Sequence, residues 1–441
     1  MFFKLLWDGF KLKEVRNRVI FTIFILFVFR LGAHITVPGV NVDKLSSLAD
    51  LPFLNMFNTV SGGGLQSFSL FAMGVSPYIT ASIIVQLLQM DILPIFVEWG
   101  KQGEIGRRKI NQATRYITLA LAMGQSIGIT AGFQALSNAQ IVPNPNWQTY
   151  ILIGVILTTG SMIVTWMGEQ INDKGFGSGV SMIIFAGIVT SIPNAIVGKN
   201  SLYETFIENV DPSMVTQGWI TIGLIALAAI VIIYFSTWVQ QAERKVPIQY
   251  TKLTQGAPST SYLPLRVNPA GVIPVIFAST LTSAPQTILQ FLSKAHINAD
   301  WLTNVQNIIN TQSTTGMLIY AGLIIVFTFF YSFVQVNPEK MAEQLTQSGA
   351  YIPSVRPGKA TERYISGLLI RLSVVGSLFL GVISIIPMIA SNLWDLPSIV
   401  ALGGTSLLII IMTAVQGVQQ LEGYMLKKQY VGFMDNPVSL D

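Results

Sequence analysis

Residues 60–94 read VSGGGLQSFSLFAMGVSPYITASIIVQLLQMDILP, a membrane span broken near its middle. Leu65–Met73 is apolar, but nine residues of helix cover only about 14 Å of a hydrocarbon layer roughly 30 Å thick. Gly74 and Pro77 interrupt the run, Val75–Met90 reads as a second helical piece, and Gly62–Gly64 forms a flexible tether ahead of both. Non-helical backbone at membrane depth needs protein or a water-filled cavity around it, because lipid leaves its N–H and C=O groups unpaired. The segment is therefore expected to line something.

The rest of the chain supplies the setting. Of 441 residues, 51% are hydrophobic and 11% charged, well below the roughly 25% charge of soluble domains. Apolar runs predict ten spans: Val19–Val37, the broken Leu65–Met90, Tyr116–Ala135, Tyr150–Gly168, Val180–Val197, Trp219–Val239, Ala270–Leu289, Met317–Val336, Leu368–Ile389 and Ile399–Val418. With this count, 22 of the 26 Lys and Arg fall in the termini, in the even-numbered loops or, for Arg371, at the entry of span 9 from one of them, against three in the odd-numbered loops, with Arg30 inside span 1. The positive-inside rule then makes both termini cytoplasmic, together with two long loops, 240–269 and 337–365. The tryptophans fall at or near span ends, as interfacial anchors do. Alternation over Lys245–Tyr250 predicts a short hairpin in the first long loop, and Pro338–Ser348 a helix in the second.

Ten divides into five and five, with a Gly/Pro-interrupted helix second in each half: span 2 with Gly74 and Pro77, span 7 with Pro274 and Pro285. Opposite entry of the halves is the setting for inverted repeats, which an ion-coupled solute transporter would share. Such a transporter puts ionisable groups deep in its bundle. Here no Asp or Glu lies near the middle of a span, Arg30 and His34 read as snorkelling or packed near an interface, and His296 is far away in sequence. With no cysteine there is no disulfide or thiolate chemistry. No HExxH, GxSxG or P-loop occurs, so no enzyme, cofactor or metal site is expected. Aliphatic residues recur at mid-span positions (Val75, Ile79, Ile184, Ile276, Ile409), and periodicity alone reads each as ordinary core.

Six stretches carry a resemblance across essentially the whole chain: FAMGVSPYITASIIVQLL at Phe71–Leu88, GEQINDKGFGSGVSMIIFAGIV at Gly168–Val189, QQAERKVPIQY at Gln240–Tyr250, NPAGVIPVIFAS at Asn268–Ser279, VRPGKATERYI at Val355–Ile365 and GGTSLLIIIMTA at Gly403–Ala414. In these the sequence resembles the bacterial SecY family, the pore-forming subunits of protein-conducting channels, in its Gram-positive form. The resemblance implies an all-α polytopic membrane protein of ten transmembrane helices in two inverted five-helix halves, 1–200 and 201–441, around an hourglass pore. It implies a short broken helix, the plug, at about 65–73 with Leu65, Phe68, Phe71 and Met73. It gives meaning to Val75, Ile79, Ile184, Ile276 and Ile409 as an aliphatic pore ring, with Val75 where many relatives have isoleucine. Spans 2, 3, 7 and 8 would form a lateral gate.

Expected partners follow from the same resemblance: a SecE-like clamp and a SecG-like small subunit, the SecA motor ATPase, a ribosome, signal peptides and nascent chains, and anionic lipids. Docking would use Arg244, Lys245 and Arg356, and no sequence-specific nucleic-acid binding is implied. Lys245 stands where many relatives have a second arginine, so it keeps the charge without the planar fork. The function implied is passage of unfolded polypeptides across the plasma membrane, with lateral release of transmembrane segments. The alternatives are an accessory translocon for specialised surface proteins and the ion-coupled transporter.

Overall fold

The computed structural model describes residues 12–41, 63–65, 67–89, 93–136, 142, 146–197, 202–208, 215–250, 260–282, 305, 308, 313–394 and 398–434. Gly62, His296 and the distal part of span 7 lie outside these residues. The described chain divides into two compact units, one holding residues of Met1–Thr205 and Thr413–Asp441, the other residues of Phe206–Gln286 and Asp300–Met412.

In the first unit, α1 (Lys13–Gly32) is followed after the broken segment by α2 (Ser76–Leu88), α3 (Pro94–Lys101), α4 (Gly103–Leu136), α5 (Trp147–Lys174) and α6 (Gly179–Val197). Pro77 occupies the first turn of α2, where its missing N–H costs nothing. The polar stretch after span 2, read above as a loop, is helical. Gly103, at φ 63°, turns the chain between α3 and α4, and α4 runs through the basic residues well ahead of Tyr116. Small residues let the helices of this unit approach closely. A Cβ at Gly154 would lie 2.9 Å from Ile127 of α4, and one at Gly179 would lie 1.8 Å from the Gly168 carbonyl oxygen across the α5–α6 turn. Lipid gives helices no hydrophobic drive to associate, so close backbone packing at small residues carries the contact.

The second unit holds α7 (Val215–Gln241), the strands β1 (Glu243–Tyr250) and β2 (Thr260–Arg266), α8 (Ile273–Thr282), α9 (Thr314–Gln335), α10 (Pro338–Gln347), β3 (Ala350–Tyr351), α11 (Lys359–Leu393) and most of the first half of α12 (Ser398–Met434). The hairpin expected from alternation is present, with Glu243 paired to Arg266 and Gln249 to Thr260. β3 adds on the other side of β1, giving the order β2-β1-β3. Val246, Ile248 and Leu265 from the sheet bury against Ile352, Ile365 and Leu369, a small core that reaches the first residues of span 9. α10 forms where its sequence predicts: Asn337 caps it by accepting from the Lys340 N–H, and Pro338 opens the first turn.

Six described helices are long and apolar enough to cross a membrane: α4, α5, α7, α9 continued by α10, α11 and the later part of α12. Spans 2, 5 and 7 fall on the shorter apolar helices α2, α6 and α8, and span 1 on the 20-residue α1. The chain is thus an all-α polytopic membrane protein bearing one small extramembrane sheet. Trp147 opens α5, Trp219 and Trp238 lie near the two ends of α7, and Trp394 caps α11; all four are exposed.

Candidate functional site

The segment at about 65–73, which the resemblance implies is a short broken helix, is not helical in its described residues. Residues 63–65 and 67–75 form turns, with Ser69 in a β-bridge, and helix begins only at Ser76. The turns are closed by the N–H groups of Ser69, Phe68, Ala72 and Gly74 donating to the carbonyls of Gly64 (2.8 Å), Leu65 (3.1 Å), Ser69 (3.0 Å) and Phe71 (2.9 Å). The reason lies in two left-handed residues, Phe68 at φ 43° and Gly74 at φ 53°, each of which stops a right-handed helix. Glycine reaches that conformation freely, whereas phenylalanine is held there at a cost of about 1–3 kcal/mol.

Burial offsets that strain. Leu65, Phe68 and Met73 are buried with Val37, Phe133, Val142, Ile153 and Leu157 in one cluster. The Phe68 ring meets Phe133 edge-on at 5.9 Å, and Phe71 stacks on Phe29 of α1 at the same spacing. Each such aromatic pair contributes about 0.5–1.5 kcal/mol. Two residues of α5, which sequence reasoning did not single out, fit the segment from the side. A Cβ at Gly160 would fall 1.8 Å from the Leu70 carbonyl oxygen, and the Ser161 hydroxyl donates to the Gly74 carbonyl at 3.1 Å. The readable signal was the stripe Gly154, Thr158, Ser161, Thr165, Gly168, small residues at helical spacing.

Of the five aliphatic positions, three are in the first unit. Val75 is fully buried just before α2, Ile79 follows one turn later with its N–H donating to the Val75 carbonyl at 3.0 Å, and Ile184 is buried on α6. In the second unit Ile276 is partly buried on α8 and Ile409 is buried on α12. All five sit on apolar helices or at a helix start. None of them brings an ionisable group, and among the described residues no cluster of His, Asp and Glu could hold a metal.

The predicted docking residues belong to the sheet platform of the second unit. Arg244 and Lys245 are exposed on β1, with the Lys245 ammonium 3.6 Å from Glu243. Arg356 is exposed in the turn between β3 and α11, where its carbonyl accepts from the buried Thr361 hydroxyl at 2.9 Å. Ser354 and Gly358, at φ 68° and 91°, shape this turn. β3 is tied to β1 by Tyr351, whose hydroxyl donates to Gln249 at 2.9 Å.

The motif GFGSG at 175–179 has a structural role that its sequence hid. The Phe176 N–H donates to Thr22 of α1 at 2.8 Å, the Gly177 N–H to Gln420 of α12 at 2.6 Å, and the Gly179 N–H to Asn172 at 2.7 Å. Arg18 of α1 lies over the Tyr424 ring at 5.2 Å. One loop thereby ties two distant parts of the chain, α1 and α12, together within the first unit.

A broken apolar segment packed in a helical unit, aliphatic positions without acids, and a small hydrophilic sheet bearing exposed basic residues together define a polytopic membrane protein. The SecY family profile matches residues 69–418. The chain is 72% identical over 440 residues to the protein translocase subunit SecY of Lactococcus lactis subsp. cremoris, covering 99% of both chains. A solved protein conducting channel shares the fold at TM-score 0.68 and 19% identity, over 97% of this chain and 95% of that one. Sec61 in the canine ribosome-channel complex from the endoplasmic reticulum superposes at TM-score 0.65 and 18% identity, over the same shares. The chain belongs to the SecY family, and its similarity is to the Gram-positive members.

Proposed function

We infer that this chain is the protein-conducting channel of a translocase, and the observation that carries the reading is its 72% identity to a translocase SecY subunit over nearly the full length. The function is conduction rather than catalysis. Unfolded secretory chains pass through, and sufficiently apolar segments leave sideways into lipid. That partition follows from chemistry: each Leu, Ile, Val or Phe favours insertion by about 0.3–0.6 kcal/mol, and each central charge opposes it by about 2.5–3.5.

The two halves, 1–200 and 201–441, both contribute to the seal. Val75, Ile79, Ile184, Ile276 and Ile409 form its aliphatic ring, and 65–73, with Leu65, Phe68, Phe71 and Met73, is the stopper. Branched aliphatics resist wetting and block ions, yet present no hydrogen-bonding pattern that a passing chain must satisfy. The burial of the stopper residues and the lack of charge at all five positions support this reading.

Energy comes from a partner, a SecA-type motor ATPase or a translating ribosome, docked on Arg244, Lys245 and Arg356. Support comes from their exposure on a platform with its own small core, and from the ribosome-bound state of the Sec61 relative. Contact with ribosomal RNA would be through charge and shape rather than base readout. SecE- and SecG-like subunits and anionic lipids complete the assembly, in the plasma membrane with both termini cytoplasmic.

The test exploits the absence of cysteine. Single cysteines at positions 75, 79, 184, 276 and 409 should each crosslink to a stalled secretory chain, while cysteines at Leu224 and Leu227, exposed on the outside of α7, should not. Equal crosslinking at both sets would refute the ring.

A further inference from the structure

The stopper is held by more than side-chain packing. Residues Ile35–Val37, just beyond α1, are β-branched; the chain bends at Ile35, Thr36 makes an isolated β-bridge, and Pro38 biases Val37 toward the extended region. Opposite them Phe68–Leu70 runs antiparallel. The Val37 N–H donates to the Phe68 carbonyl at 3.0 Å, the Leu70 N–H to the Ile35 carbonyl at 2.8 Å, and Thr36 and Ser69 form the bridge pair between. The Ser67 hydroxyl adds a bond to the Ala33 carbonyl at 3.3 Å. Phe68 adopts φ 43° immediately before the bridge residue, so the strained residue is the one that swings Ser69 and Leu70 into register.

We propose that Ile35–Val37 is a positioning strand for the stopper: a two-bond β-latch that holds 68–70 in the closed channel and must unzip for a polypeptide to pass. The inference rests on the reading of 65–73 as the stopper. It adds that the latch sets how strong a signal sequence must be to open the channel. Opening leaves the N–H of Val37 and the carbonyl of Ile35 without their partners, which favours return of the segment once the chain has gone.

The bond pattern makes Thr36 and Ser69 a non-hydrogen-bonded pair, whose Cα atoms stand about 4.5 Å apart, within the span of a disulfide. In a Thr36→Cys/Ser69→Cys variant of the natively cysteine-free chain, mild oxidation should close the bridge, measured by loss of maleimide labelling. Translocation into vesicles should then fall at least about tenfold and return on reduction. Val37→Pro removes one latch donor and should raise export of weak-signal substrates about fivefold, with wild-type membrane levels.

Failure of the cysteines to pair in closed channels would overturn the latch, as would full pairing with undiminished translocation. Deleting 65–73 separates the two readings. If deletion raises ion leak while the oxidised pair conducts normally, the stopper stands and the latch falls. If deletion leaves leak unchanged, the stopper reading itself fails, and the latch with it.

Discussion

Replacing Gly160 by alanine should unseat the stopper from the side. The added Cβ would lie 1.8 Å from the Leu70 carbonyl oxygen and 2.8 Å from its carbon. Carbon–oxygen contacts settle at about 3.3 Å or beyond, so α5 and the segment must separate by about 1.5 Å. The near partner is backbone and cannot rotate away, and the same peptide unit chain is held by the 2.8 Å bond from Leu70 to Ile35. Overpacking of this kind costs about 1–3 kcal/mol. If about 2 kcal/mol falls on the closed state alone, the open population rises about 30-fold. The assay is export of a reporter with a weakened signal sequence, together with ion leak, at matched membrane levels. Gly124→Ala on α4 is the control, because a Cβ there meets nothing within 4 Å and a helix gains slightly from alanine. If Gly160→Ala exports the weak-signal reporter and leaks no more than Gly124→Ala does, the segment is not seated against α5 as argued.

Further outcomes follow from the same contacts. Ile79→Asn and Ile409→Asn each bury an amide among aliphatics at about 1–3 kcal/mol and should relax signal selection; unchanged export of weak-signal substrates in both would remove these two from the ring. Gly179→Ala drives a Cβ to 1.8 Å from the Gly168 oxygen and should lower the melting temperature in detergent by several degrees, read by thermal unfolding. Gln420→Ala removes the acceptor of the 2.6 Å bond from Gly177 and should cost about 1 kcal/mol, visible as faster proteolysis around residue 177. Arg356→Glu should weaken motor-driven export several-fold with normal membrane levels, Arg356→Lys restoring part of it; normal motor stimulation in the reversed variant would exclude the docking role.

Much of the fold was legible because bilayer physics leaves few options. Apolar runs of span length become helices, and α4, α5, α7, α9 and α11 follow the hydropathy directly. The hairpin showed in the alternation of β1, and α10 in its Asn337–Pro338 start. The conformation of 63–75 was not legible. Its apolar content suits a short helix, and only the tertiary pairing with Ile35–Val37 places Phe68 in the left-handed region. Helix also extends beyond the apolar runs in α4, α11 and α12, since hydrophilic helix outside a membrane leaves no trace in hydropathy. The residues proposed for docking were readable as charges, but their common platform depends on β3, two residues long and set by pairing far along the chain.

α11 has a mechanical consequence. At 35 residues it is about 52 Å long, against roughly 30 Å of hydrocarbon, so a rod of some 20 Å stands clear of the apolar layer. Its first turn is fastened to Arg356 through Thr361, and its side packs on the sheet core at Ile365 and Leu369. A load taken at Arg356 therefore meets no soft joint before the bilayer: if a partner docks there as proposed, its push would arrive as a tilt of the rod, with the lipid-embedded part, about 30 Å, as the long arm of a lever.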